Sequence, residues 1–416
     1  MIDSRISGFY RMAIDERLDE LLQRGIIDAE TAKRLRNSKG LLSLDVADRM
    51  VENVIGVFGL PLAVAPNFLV NDRDYVVPMV TEEPSVVAAV SAAAMLVRNS
   101  GGFTATSTEP VTIGQIHLHD LADEQAAVKR IAAAEAELVA LANELQPGLV
   151  ERGGGAIGLE IRRLQLADGR NTLALHLLVD TRDAMGANLV NTMCEGIADR
   201  VAELGGGTAV LKILSNLADR SMISASTRIP VEHLGAEGAK LRDAIVLANE
   251  IALVDPYRAA THNKGIMNGM DAVAIATGND WRALEAGAHA YAARDGAYRS
   301  LTSWSASGNG DLVGVLRLPV RMGIVGSALK ANPAAVAGLC IAGVRSSQEL
   351  GELMTAVGLA QNLGALRALA TTGIQRGHMQ LHARSVAMSA GVPRRLQDRV
   401  VHSMIESGEI RDWKAK

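Results

Sequence analysis

Five short stretches hold the residue types that chemistry needs. Glu82 and Glu83, followed by Pro84 and Ser85, separate a hydrophobic run (Tyr75 to Val80) from an Ala-rich apolar run that starts at Val86. A carboxylate at a strand end beside a helix N-terminus can meet a ligand there, or can simply cap the helix. Asp255 to Gly269 interleaves Arg258, His262, Asn263, Lys264 and Asn268 with glycine, methionine and alanine. A partly buried lysine in such a stretch supplies a strong local charge for an oxyanion, whereas in a solvated loop it does not. Asp183-Ala184-Met185-Gly186-Ala187-Asn188 falls where a strand gives way to a helix, and helix N-terminal amides beside a glycine can receive a nucleotide. Gly278-Asn279-Asp280-Trp281 reads first as an ordinary N-cap. Gly373 to His382 places His378 in a glycine-flanked hinge that could swing a proton donor over a site, or at the start of a surface helix.

Other motifs are missing. There is no G-x-G-x-x-G opening a helix after a strand, no Walker-type phosphate loop, no G-x-S-x-G, no C-x-x-C and no H-E-x-x-H. His117 and His119 share a strand face without a matching Cys or His pair, so no metal site is expected.

The elements that must position these stretches follow from periodicity. Asp15 to Arg36 gives two short helices, and a third runs from Ser43 or Asp45 to Val51 or Glu52. Leu62 to Val80 reads as a hairpin turning at Asn71-Asp72-Arg73-Asp74, and Ser85 to Arg98 as a buried helix. Between Thr108 and Asn216 the order is strand, a long helix over Asp123 to Leu145, two strands, a helix over Ala184 to Leu204, and a strand. That is the split βαβ of a ferredoxin-like layer. Helices also fit Leu241 to Val254, Trp281 to Ala293, Ala334 to Val344 and Ser347 to Leu369. The chain after Gly373 is short, basic and helical.

The chain has 416 residues, 48% of them hydrophobic and 21% charged, which suits a folded protein of two or three domains. A net charge of 42 − 46 = −4 argues against a nucleic-acid footprint. Neither Val54 to Val70, broken by Pro61 and Pro66, nor Val86 to Val97 is long enough to span a bilayer. The start of the chain is not a signal peptide, and Cys194 and Cys340 read as buried free thiols. A reducing cytoplasm is therefore expected.

Taken together, the unusual stretches resemble the class II 3-hydroxy-3-methylglutaryl-coenzyme A (HMG-CoA) reductases. The matching segments are Glu52 to Gly56, Glu82 to Ser85, Asp183 to Asn188, Asp255 to Gly269, Thr277 to Trp281, Gly358 to Gly364 and Gly373 to His378, in the family's order. The resemblance implies an α+β fold. A large substrate domain (1–108 and 217–373) surrounds a central helix, a ferredoxin-like, non-Rossmann dinucleotide-binding domain (109–216) is inserted in it, and a helical C-terminal flap (374–416) follows. The chain past His378 is short for a full flap. Family members are homodimers with active sites at the subunit interface, often assembled into hexamers.

The resemblance also implies the reaction, reversible conversion of HMG-CoA to mevalonate and free CoA with two hydride transfers through mevaldyl-CoA and mevaldehyde. Lys264 matches the lysine that stabilises the oxyanion, His378 the flap histidine that protonates the CoA thiolate, and Glu83 the acid for the second step. Asp280 matches the aspartate that links Lys264 and Glu83, and Asn268 the amide that holds this network. Ser85 and Arg258 match residues that grip the HMG carboxylate. Asn216 resembles an amide facing both substrate and cofactor, Asp183, Met185, Gly186 and Asn188 the nicotinamide-side segment, and Arg11 a contact for the CoA phosphate. Where some members have an acid that reads the ribose 2′-hydroxyl, this chain has Gln146, with Glu144 and Arg152 nearby. NAD(H) is favoured, with NADP(H) the other choice. The alternative function is a nicotinamide-dependent reductase of another acyl-CoA thioester. A catalytically silent binding protein is disfavoured by the presence of Glu83, Lys264, Asp280 and His378.

Overall fold

The computed structural model describes residues 3–37, 42–371, 383 and 386–415. Its first helices are Ile14–Gln23 (α1), Ala29–Arg36 (α2) and Leu44–Met50 (α3). Asp28 caps α2 by accepting from the Thr31 amide, as its position before the apolar period predicts. After α3 the chain runs extended to the hairpin Leu62–Val70 (β1) and Arg73–Val80 (β2), which turns at Asn71 and Asp72, both at positive φ. In the extended stretch Ile55 and Phe58 are almost fully exposed. The helix Val86–Arg98 (α4) packs on β1, and Thr104–Ser107 (β3) closes this part of the chain.

Val111–His119 (β4), Gly155–Gln165 (β5), Asn171–Asp180 (β6) and Thr208–Leu214 (β7) form one sheet in the order β5-β6-β4-β7, every neighbour antiparallel. This is the ferredoxin-like arrangement that the element order predicts. One face is apolar: Ile116, Leu118, Leu175 and Leu177 bury against the helices Glu124–Ala133 (α5), Glu135–Glu144 (α6) and Ala187–Gly205 (α8). Cys194 lies in this core, where burial pushes its thiol up to about 12 and leaves it inert. The expected single helix over Asp123 to Leu145 is two helices. The ladder breaks at Ala134, and Glu135 then reaches across to accept the Leu159 amide of β5 at 3.0 Å. A short helix, Pro147–Glu151 (α7), leads into β5. The N-terminus of α8 also falls three residues later than expected, because Gly186 takes the left-handed conformation and ends the strand-to-helix loop.

The rest of the chain supplies Met222–Ile229 (β8), Gly238–Val254 (α9), Pro256–Ala276 (α10), Trp281–Ala292 (α11), Thr302–Ala306 (β9), Leu312–Pro319 (β10), Ser327–Ala331 (α12), Pro333–Ala342 (α13), Ser347–Ala370 (α14) and Arg394–Ser407 (α15). Strands β3, β8, β10 and β9 form a second four-stranded antiparallel sheet in that order. Helix α14 is apolar around most of its circumference, from Leu350 to Leu366, so it must be enclosed. It packs against α4, α9, α10, β3, β8 and β10, which makes it the central helix. Among its buried polar residues, Asn362 accepts from the Trp304 indole at 2.8 Å and pairs with His262 at 3.0 Å. Burial, reinforced by Arg258, lowers His262 to about 4, so it is a neutral core histidine at pH 7.

Candidate active site

Sequence periodicity assigns no helix to Asp255–Gly269, because its glycines and polar residues hide the pattern. The structure makes it the first two-thirds of α10. Asp255 caps the helix through the Tyr257 amide and Pro256 occupies the first turn, where its missing N–H costs nothing. Gly269 lies so close to Val357 and Gln361 of α14 that a side chain there would crowd both. Lys264 projects from the side of α10 towards the β2–α4 connection. Its Nζ donates to Glu83 Oε2 at 2.6 Å, and Asn268, one turn on, donates to the same oxygen at 3.4 Å. The Lys264 and Glu83 side chains keep 60% and 38% exposure. A pair this open adds little to stability, so these charges gathered on one face are better placed to meet a ligand than to hold the fold.

Ser85, two residues from Glu83, has φ 76, a left-handed conformation that costs a non-glycine residue about 1 kcal/mol or more. Its hydroxyl is buried and makes no hydrogen bond. A strained backbone presenting an unpaired hydroxyl beside Glu83 suits a ligand oxygen. It also gives a stability prediction: Ser85→Ala should leave Tm within about 2 °C of the parent, or raise it, because no protein partner is lost. A thermal scan showing a fall of more than about 5 °C would mean that the hydroxyl is structural. Arg258, in the first turns of α10, has no hydrogen bond or ion pair among the described residues. Burial pulls its guanidinium down, against the opposing charge of Asp255.

The other expected members of the network lie elsewhere in the chain. Asp280 is the N-cap of α11 and accepts from the Arg282 and Ala283 amides. Twelve residues of α10 separate Lys264 from Ala276, so Asp280 sits roughly 18 Å further along the helix axis. The single chain therefore does not join Asp280 to Lys264 and Glu83. Arg258 points about 120° around α10 from Lys264. Arg11 is exposed and stacks over the Tyr10 ring, 5.2 Å from its centroid. His378 lies outside the described residues.

A second group of residues gathers around α11. A cleft is bounded by Met185 and Ala187 before and on α8, Ser215 and Asn216 after β7, and Ala283 and Gly287 on α11. Gly287 matters for close approach, since a Cβ there would meet the Asn216 carbonyl at 2.7 Å. Gly186 has φ 89, and a Cβ on it would run into the Thr181 side chain, so only glycine fits. Asn188 is exposed on the first turn of α8. The Asp183 carboxylate is engaged, accepting the Ser347 amide at 2.8 Å. Gln146 is the N-cap of α7, makes no side-chain cap hydrogen bond, and is not among the residues lining this cleft. A cleft beside a helix N-terminus, with Asn216 in its wall, offers a place for an anionic group of a ligand.

The model for hydroxymethylglutaryl-coenzyme A reductases matches residues 13–383. The chain belongs to that family. It is 48% identical to the 3-hydroxy-3-methylglutaryl-coenzyme A reductase of Archaeoglobus fulgidus over 411 residues, covering 99% of this chain and 93% of that one. A probable reductase of Borreliella burgdorferi is 36% identical over 82% of this chain and 78% of its own length. A solved HMG-CoA reductase from Streptococcus pneumoniae superposes with a TM-score of 0.86 at 42% identity, over 98% of this chain and 97% of that one. Another, a class II enzyme from the same organism bound to NADPH in open conformations, gives 0.85 at 42% identity over 88% of this chain and 99% of its own. The protein is thus an oxidoreductase with HMG-CoA reductase activity, dependent on a nicotinamide cofactor. Among the described residues no helix is long and apolar enough to cross a membrane, and no cluster of His, Cys, Asp and Glu could hold a metal ion.

Sequence reasoning missed several residues around this reductase site. Asp271, two turns beyond Lys264 on nearly the same face of α10, is half-buried against Glu285 of α11. Burial, then Glu285, raises its carboxyl, while His289 hydrogen-bonds Glu285 and lowers it. His289 continues to Tyr298 at 2.7 Å. Arg321, which lines the cofactor-side cleft, gave no signal either, because a lone arginine after a strand looks like any surface charge. Burial lowers its guanidinium to about 10, so it stays charged at neutral pH.

Proposed function

We propose that this enzyme carries out both reductive steps at sites built from two copies of the chain. The observation that carries the reading is the separation along α10: the Glu83–Lys264–Asn268 cluster lies near the middle of the helix, whereas Asp280 follows its C-terminal end. A hydrogen bond needs its heavy atoms within about 3 Å, so a gap of roughly 18 Å between Lys264 and Asp280 of one chain needs a second chain to close it. Asp280 of a second copy would then complete the cluster around Lys264. The bare Ile55 and Phe58 of the extended 53–61 segment supply apolar surface for such a homodimer. Further assembly into hexamers extends the same reading.

Lys264 donates to the thioester oxygen of HMG-CoA as it becomes an oxyanion, and does so again at the aldehyde oxygen of mevaldehyde. Ser85 and Arg258 hold the HMG carboxylate. Arg11 meets the CoA phosphate. His378 protonates the departing thiolate, and Glu83, steadied by Asn268, protonates the final alkoxide. Asp280 orients Lys264 towards Glu83. The bound reduced dinucleotide supplies the two hydrides; Asp183, Met185, Gly186, Asn188, Asn216 and Gln146 would hold it. No metal is required. The domains in this reading are 1–108 with 217–373 for substrate, 109–216 for the dinucleotide and 374–416 as the flap, in a cytoplasmic enzyme.

NAD(H) is the favoured cofactor, because Gln146 is neutral and the exposed Glu144 beside it would repel a 2′-phosphate. Arg152 near Gly148 supports the NADP(H) choice. The test is kcat/KM for HMG-CoA reduction with each reduced dinucleotide. The ratio should favour NADH; a ratio favouring NADPH gives the deciding role to Arg152.

A further inference from the structure

The Arg321 side chain follows β10 and points into the junction between the inserted sheet and the substrate-binding body. Its guanidinium is a fork whose acceptors are all neutral oxygens. Nε and Nη2 donate to Thr181 Oγ1 at 3.0 and 2.5 Å, and Nη2 also reaches the carbonyls of Arg182, at 2.6 Å, and Ala184. Nη1 donates to the Met322 carbonyl at 2.9 Å and to Ser347 Oγ at 3.4 Å. Asp180 and Asp183 act on it only at longer range. A half-buried cation without a contacting carboxylate has a desolvation cost that no ion pair offsets, which directs attention to what it holds in place.

What it holds is the strand-to-helix loop. Thr181 is fully buried, accepts from Arg321, and lies under Gly186, whose missing Cβ leaves room only for the Thr181 side chain. Around the same loop, Ser347 donates to the Arg182 carbonyl at 2.8 Å and Ile324 to the Asp183 carbonyl at 2.9 Å. Gly323 packs against the Met185 amide, while its own N–H donates to Asn279 at 2.8 Å. Asn279 immediately precedes Asp280. Arg321 thus holds the loop before α8, and the Gly323 backbone, two residues on, ties the same region to the turn that carries Asp280.

We infer that Arg321 is a positioning residue for the dinucleotide: through Thr181 it sets the Gly186–Asn188 turn relative to the substrate-binding body. The inference rests on the proposed role of residues 183–188. Lysine at 321 would keep the charge but, as a point donor, could not bridge Thr181, Arg182 and Ala184 at once. Arg321→Lys should raise KM for the reduced dinucleotide about tenfold while KM for HMG-CoA stays within about twofold. Thr181→Val, which keeps the methyl under Gly186 and removes only the hydroxyl, should raise the same KM about threefold, and it decides the matter if Arg321→Lys does not fold. Unchanged dinucleotide KM overturns the inference, and so does an equal rise for both substrates, which is what general loosening gives. Asn188→Ala separates the two ideas. If it leaves dinucleotide KM unchanged, the reading of 183–188 has failed; if it raises KM while the Arg321 and Thr181 variants do not, only the latch has failed.

Discussion

Lys264→Ala is expected to lower kcat by roughly 10³-fold with either HMG-CoA or mevaldehyde as substrate, because each step builds negative charge on an oxygen for which this ammonium is the one proposed cation. The fold should survive, since the Lys264 side chain is 60% exposed and its ion pair with Glu83 is solvent-screened. Tm should therefore stay within about 2 °C of the parent. Loss in both half-reactions is the informative part. A group acting only on the thiolate would spare mevaldehyde reduction. If kcat for either substrate stays within about tenfold of the parent, Lys264 is not the oxyanion partner.

The second large effect is a gain of activity. Asp280→Asn retains a good N-cap for α11, so it should fold normally while disabling the site. Mixed as unfolded chains and refolded together, Lys264→Ala and Asp280→Asn should recover about a quarter of parental activity. Random pairing makes half of the dimers mixed. In each mixed dimer one site carries both substitutions and the other carries neither. If Asp280 served the Lys264 of its own chain, every site would hold one defect and the mixture would stay as inactive as its components. That outcome would remove the shared site.

The residues in question were visible in the sequence to different degrees. The ferredoxin-like order of residues 111–214 could be read from alternation and helix period alone, because each strand has one apolar face and each helix one apolar stripe. Helix α10 could not, because it is enclosed on several sides and its polar residues belong to a site as well as to a face. The Glu83–Lys264 contact joins residues 181 positions apart, and no local pattern encodes such a meeting. Motif resemblance found both residues without saying that Asp280 would lie past the C-terminal end of the helix. Arg321 and Asp271 escaped because a charge looks the same in sequence whether solvent or a backbone carbonyl receives it.

The length of α10 has one more consequence. If the middle of the helix serves the site of its own chain and its C-terminal end sets Asp280 for the site of a second copy, α10 is a ruler that fixes the spacing of two catalytic centres. Adding one residue between Asn268 and Ala276 would advance the far end by about 1.5 Å and turn it by about 100°. Both centres would lose register together. Drift in helix length is then forbidden twice over, while the loops at the outer edge of the inserted sheet remain free to vary.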